Sequence, residues 1–516
     1  MDAPTARRHS ALDGRAAAVE SFRADDGPGE QGAAMKTLVA RAGLLCLALT
    51  LGACASVPLA APWEAADHLR YTIVYTNDPA PGLNVEVLLP RSLPTSVPRS
   101  SPLDFLFRQP GRVRSLVGTG EDGTRFEVFP QAGGAVQLPR GTSVVRYHYP
   151  LASSRGGGGR HMFGGMGEGD AWHVAGKAYL LTPRHVTPEL RVDLTVSGTD
   201  ALLPWTPDDR GVYHLRGEDL IDAGFHAFGG RRCTVRSGES VLEVALLGRF
   251  THLTDADLCA WLEQAGREVL TVRKAFPYPR VTVRVVPVPG ENTPGVFGMT
   301  QWSSPPSISI LVGQDATAAS FAKDWVALHE MLHLTHPALV PREAWLTEGL
   351  ATYYTELARA RSGRQTAQQA WQELADGFAR GRAAARSRTM KEAIAEEGNF
   401  QAIYWTGALF ALHLDVELRR ATQGRARLED VLELLATRGP MATLASFGEA
   451  VDAVAGQPLF DALLARHLPA PAFSEQAALL EELGVRIDPA GVKLHAAPSS
   501  GVREALDGGR TADDAG

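Results

Sequence analysis

His329-Glu330-Met331-Leu332-His333, followed by Trp345-Leu346-Thr347-Glu348-Gly349, is the stretch on which the reading of this chain turns. On a helix, residues four apart lie on one face, so His329 and His333 project side by side. Two imidazoles so placed can grip one zinc ion, and the glutamate between them points into the same site as a general base. Glu348, on the helix expected next, offers a third ligand. Two histidines and one glutamate leave a fourth position for water, which a catalytic zinc site needs and a structural one does not. The same five letters also arise by chance on exposed helices. Here Trp325, Val326, Leu328, Met331 and Leu332 make the helix apolar and therefore buried. Buried His and Glu need partners.

Upstream, the periodicity is that of strands. Leu83, Val85, Val87 and Leu89 alternate with Asn84, Glu86 and Leu88. Stretches 71–75, 143–147 and 190–194 read similarly, with Pro, Gly, Asp and Asn between them. This predicts an all-β, sandwich-like domain over 57–230. The glycine run 156–159, continuing to Gly169, reads as a loop with no nucleotide role, and His161 and Met162 as solvent-exposed. From 231 the period changes. Strands are expected at 241–247, 281–285 and 308–312, and a helix at 255–275. Helices follow at 316–336, 342–362, 366–385, 399–422, 427–438, 444–455 and 474–483. Gly363 and Gly424 stand where helix C-termini favour glycine. A small sheet followed by a helical half is an α+β arrangement, assigned here to 231–487. The polar stretch 488–516 reads as a disordered tail.

The N-terminus reads as an export signal. Residues 1–34 are polar and form a non-translated or disordered leader. Met35-Lys36-Thr37-Leu38-Val39-Ala40-Arg41 then precedes an apolar run that ends at Leu51-Gly52-Ala53-Cys54. The run is too short to span a membrane comfortably and has the layout of a secretory signal over 35–54. Leu-Gly-Ala-Cys also resembles a bacterial lipobox, which would make Cys54 the lipidated first residue of the mature chain. The other reading is an ordinary signal cleaved near Ala55 or Ala61. A lipid anchor implies the bacterial cell envelope, and Ala55 after the cysteine favours the periplasmic side of the outer membrane. Cys46 would leave with the signal. Cys233 and Cys259 remain as a pair in an oxidising compartment, either disulfide-bonded or as two buried thiols. The formal net charge of -7, without a basic stripe, argues against nucleic acid as a partner.

Longer segments repeat the message of the zinc motif. Thr347-Glu348-Gly349-Leu350-Ala351-Thr352-Tyr353-Tyr354 looks like TEGFTxYY. Tyr404-Trp405-Thr406-Gly407-Ala408-Leu409-Phe410-Ala411-Leu412-His413-Leu414-Asp415 looks like YxKGxLxxLxLD. Leu220-Ile221-Asp222-Ala223-Gly224 resembles an LxDxP junction. With these segments in order, the chain resembles the glycyl aminopeptidase family of gluzincin zinc metallopeptidases, from about Tyr71 to Ile487. The resemblance implies a thermolysin-like catalytic domain with one zinc ion held by His329, His333 and Glu348. It implies that Glu330 activates the attacking water and passes its proton to the leaving amine, and that Tyr404 stabilises the oxyanion. Such a phenol can donate to a developing negative charge. Tyr353 and Tyr354 read mainly as packing, with a contact behind a ligand left open, and His336, just before Pro337, reads as no ligand.

The chain departs from the family at Gly298-Met299-Thr300-Gln301. In related aminopeptidases a Gly-x-x-Glu type motif on an edge strand binds the substrate's free amino group through its glutamate. Here Thr300 takes the acidic position with Gln301 beside it, and neither neutralises an ammonium as a carboxylate does. The expectation is a zinc-dependent peptidase acting on peptide or protein substrates, aminopeptidase-like with an altered amino-terminus anchor. An endopeptidase, another zinc amide hydrolase and a non-catalytic zinc-binding lipoprotein remain as alternatives.

Overall fold

The computed structural model describes residues 68–90, 103–151, 165–186, 189–276, 278–303, 305–340, 343–396 and 398–509. The signal segment, Cys54, Gly156–Gly159, His161 and Met162 lie outside them. In the N-terminal half, Leu69–Thr76 and Gly82–Leu88 pair antiparallel inside a seven-stranded sheet, with Ile73 opposite Val85 and Tyr71 opposite Val87. Alternation places Leu69, Tyr71, Ile73, Leu83, Val85, Val87, Val145 and Tyr147 on one buried face. That face shares a core with Phe105, Val136 and Leu138 of a three-stranded sheet and with Val174, Phe225 and Phe228 of a four-stranded one. The expected β layers are present, and the alternating segments form their strands.

The second half starts at Arg231–Ser237, directly after Gly229 and Gly230, whose positive φ of 68° and 79° turn the chain out of the strand Phe225–Phe228. Its five-stranded sheet runs in the order Arg231–Ser237, Ser240–Leu246, Arg280–Val288, Ser307–Gly313, Phe297–Gln301. The two inner pairings are parallel, whereas both edge strands, Arg231–Ser237 and Phe297–Gln301, pair antiparallel. Cys233 on the opposite edge is disulfide-bonded to Cys259 in the helix Asp255–Val269. Closing a loop with a sequence separation of 26 stabilises the folded state by about 3.5 kcal/mol through the unfolded chain's lost entropy.

Most of the helical half forms where the period places it, with three corrections. The helix expected over 316–336 is three pieces: a 3-10 turn at Ala318–Lys323, the α-helix Val326–Leu332 and a 3-10 turn at His333–Thr335. Asp324 interrupts it. Its backbone is extended, and its carboxylate accepts from Trp261 Nε1 at 2.9 Å and from the Ala327 amide at 3.4 Å. Two helices were not expected, Met390–Ala395 and Phe460–His467, which are too short to show a period. The tail expected to be disordered from 488 is ordered to 509. Val485–Asp488 pairs with Gly491–Leu494, and the helix Ser500–Asp507 docks through buried Leu506. Asp507 accepts from Trp371 Nε1 at 2.9 Å. Few apolar anchors sit in an otherwise polar stretch, so composition hid them.

Two helices form the floor of the candidate site, Ala344–Arg361 and Phe400–Ala421. They cross at Gly349 and Gly407. A Cβ on Gly407 would lie 1.8 Å from the Trp345 carbonyl oxygen, and one on Gly349 would lie 2.5 Å from Gly407 Cα. The glycines of the two motifs therefore set the helix separation. Below the crossing, Tyr353 donates to Asp415 Oδ2 at 3.0 Å, and Asp415 Oδ1 accepts from Arg419 Nε at 2.9 Å and from the Leu428 amide at 3.2 Å. Arg361 pairs with buried Glu429 at 2.6 Å.

Candidate metal centre

His329 lies in the α-helix Val326–Leu332, and His333 is its C-terminal cap with helical φ and ψ of −56° and −26°. The i,i+4 geometry therefore survives even though the helix is short. Glu348 enters from the first turns of Ala344–Arg361. Its Oε2 lies 3.3 Å from His329 Nε2 and 3.3 Å from His333 Nε2. All three side chains are buried. Tetrahedral zinc with bonds of about 2.0–2.1 Å spaces its ligand atoms about 3.3–3.4 Å apart. Both distances to the glutamate oxygen match that spacing, and all three ligand atoms lie within 4.8 Å of one another, so the residues fit a zinc ion.

Glu330 sits beside the group, buried like it. Burial raises its carboxyl pKa above the ordinary glutamate value. His333 and His329 pull it down, Glu348 adds to the rise, and the hydrogen bond from Thr300 lowers it. Thr300 Oγ1 reaches both Glu330 Oε2 at 2.9 Å and the Glu330 carbonyl at 2.8 Å. Gly298 on the same strand lets the carboxylate approach, because a Cβ there would lie 2.4 Å from Glu330 Cγ. Tyr404, half-buried on Phe400–Ala421, lays its ring nearly parallel to His329, with centroids 6.1 Å apart. Trp325 meets the same imidazole edge-on at 5.4 Å, a contact that sequence reading treated only as apolar cover.

The four edge-strand candidates separate by face. Gly298 and Thr300 point at Glu330. Met299 packs instead against the apolar clusters shared with the β domain, and Gln301 Nε2 donates to the Asp222 carbonyl at 2.8 Å. Of the four residues expected to bind substrate, Gly298 and Thr300 thus face Glu330 and Met299 and Gln301 do not, since neighbouring strand residues face opposite ways. Gln301 instead ties the junction 220–224 to the catalytic sheet, as does Ser307 Oγ, which accepts from the Phe225 amide at 3.0 Å. Tyr353 is committed to Asp415, and the buried Tyr354 ring lies under Arg361 at 6.0 Å. His336 bonds through Nδ1 to the Pro337 carbonyl at 2.8 Å. Burial lowers its pKa to about 4, with His333 adding to the drop.

Sequence reading also passed over a second group of the same composition, His413, His467 and Glu475. These residues lie on three separate elements, and no local spacing signals them.

No family model matches the chain, and no curated protein matches it by sequence. Its structure is similar to that of an aminopeptidase N family protein from Idiomarina loihiensis. The TM-score is 0.61 at 16% identity, over 84% of this chain and 82% of that one. It also aligns with an M1 zinc metallopeptidase from Deinococcus radiodurans, with a TM-score of 0.45 at 17% identity, over 78% of this chain and 94% of that one. The first likeness establishes the fold, a β-sheet N-terminal region followed by a mixed, then helical, second half. This is the α+β architecture expected from the sequence.

Proposed function

We propose that this chain is a zinc-dependent peptidase whose centre is His329, His333, Glu348, Glu330 and Tyr404. The observation that carries the proposal is the spacing of the three ligand atoms, 3.3 Å from each histidine to the shared glutamate oxygen, with a second carboxylate held beside them. The likeness of fold to an aminopeptidase N family protein supports it. A zinc ion on these ligands would polarise the scissile carbonyl and lower the pKa of a water to about 7. Glu330 takes a proton from the attacking water and later delivers it to the leaving amine. Thr300 holds one oxygen of that carboxylate, and burial raises its affinity for the proton it must carry. The Tyr404 hydroxyl donates to the oxyanion of the tetrahedral intermediate.

The anchor for the substrate's amino terminus differs from the aminopeptidase pattern. The side chain that faces the site from the edge strand is Thr300, and its hydroxyl is spent on Glu330. A free ammonium gains no carboxylate from this strand. The enzyme is therefore expected to discriminate weakly between free and blocked amino termini, cutting internally quenched peptides as well as aminoacyl reporters. Both substrate classes should be assayed with and without chelator. If neither is cleaved, or if cleavage is indifferent to the chelator, the proposal fails. A strong preference for free amino termini would restore a strict aminopeptidase.

We also propose that the chain is held to the cell envelope by a lipid on Cys54. The support is the signal and lipobox pattern. Among the described residues no helix is long and apolar enough to cross a membrane. Cys54→Ser should move the protein from the membrane to the soluble fraction, and retention on the membrane would place the anchor elsewhere.

A further inference from the structure

We propose that His413, His467 and Glu475 form a second divalent-metal site, suited to a borderline transition metal such as Zn2+. The inference stands apart from the peptidase reading and needs none of its residues. His413 lies in the helix Phe400–Ala421, His467 ends the helix Phe460–His467, and Glu475 immediately precedes the helix Gln476–Glu482. One ligand atom from each lies within 4.8 Å of the others. Glu475 Oε2 is 3.9 Å from His413 Nδ1 and 3.8 Å from His467 Nε2. The two rings meet edge to face, with centroids 4.6 Å apart.

A purely packed pair of histidines would satisfy its buried nitrogens, because an unpaired buried polar atom is costly. Here His467 Nε2, the nitrogen that faces Glu475, has no hydrogen-bond partner. His413 is only 4% exposed. Two imidazoles and one carboxylate suit Zn2+, Ni2+ or Cu2+ better than Ca2+ or Mg2+, which prefer oxygen.

The site has an entrance. A small cleft of about 20 Å3, lined by Thr406, Leu409, Phe410, Phe473 and Ser474, reaches His467 and Glu475. Glu475 is also engaged by Arg466 at 2.6 Å, but the Arg466 side chain is 51% exposed and free to swing into solvent. Ligation requires the arginine to yield and each nitrogen to move inward by about half an ångström, the difference between its present spacing and that of tetrahedral zinc.

The test uses the full chain, stripped with chelator and titrated with Zn2+ by calorimetry, followed by metal counting after gel filtration. The unsubstituted chain should bind two ions. H329A/H333A should retain one, and adding H467N should remove it. E475Q, at a side chain 35% exposed, leaves the buried histidines in place and keeps the test valid if a histidine variant unfolds. It should weaken one of the two binding events at least about tenfold, the loss seen for removing even an outer partner of a metal site. A folded H329A/H333A chain that takes up no ion, or an ion retained there that is indifferent to both H467N and E475Q, overturns the proposal. Absence of peptide cleavage bears on neither outcome.

Discussion

Among the described residues the molecule has two His-His-Glu groups, and they are built in opposite ways. In the first, one helix sets the histidine pair through i,i+4 spacing, and the Gly349–Gly407 crossing brings the glutamate helix alongside the helix of Tyr404. The carboxylate sits 3.3 Å from both nitrogens. In the second, three elements each contribute one residue and the separations open to 3.9 and 3.8 Å. A neighbouring arginine occupies the carboxylate there. The same side chains thus give a pre-organised centre in one place and a looser one in the other. Spacing and escort residues, not ligand type, separate chemistry from mere binding.

The sharpest way to break this comparison is Glu330→Gln. If the first group is hydrolytic, kcat should fall by about 10²–10⁴-fold while zinc stoichiometry stays unchanged, measured on the same preparation. Cleavage that survives would remove the functional distinction between the groups. Gly407→Ala probes the frame instead of the chemistry. Its new methyl meets the Trp345 carbonyl and must push the two helices apart. Overpacking of this kind costs about 1–3 kcal/mol, readable as a lower midpoint in chemical denaturation. Unchanged stability would show that the glycine crossing does not set the site. Thr300→Val tests the escort. Losing the hydrogen bond to the Glu330 carboxylate should lower kcat by about tenfold, since one such bond to a charged group is worth roughly 1.5–3 kcal/mol and part is recovered by water. KM and the ratio of blocked to free amino termini should hardly move. A large shift in that ratio would instead make Thr300 a direct contact of the amino terminus.

The two groups also mark what the sequence could disclose. The first was legible because its geometry is local: five consecutive residues encode the ligand face, and Glu348 follows within a helix of clear period. Tyr404 needed the longer motif, and it does lie against His329. The edge strand was read only by its residue types, so Met299 and Gln301 were grouped with Thr300 although alternation turns them away. The Cys233–Cys259 link and the second group depend on elements brought together by the fold, and no spacing in the chain announces either. The helix Ser500–Asp507 escaped because it is only eight residues long, too short to show a period, and docks through Leu506, Asp507 and a carbonyl that accepts from Arg361.

Arg466 offers the smallest and most discriminating effect. In the second group Arg466 holds the oxygen that a metal would take. Arg466→Ala should therefore raise zinc affinity at the second group and leave the first untouched. The pair is exposed on the arginine side, so its strength is about 0.2–1 kcal/mol, and the gain should be about two- to fivefold in Kd by calorimetry. Loss of affinity would mean that the arginine positions Glu475 for the metal instead of competing with it. The second group would then be assembled by its neighbours, as Thr300 assembles Glu330 in the first.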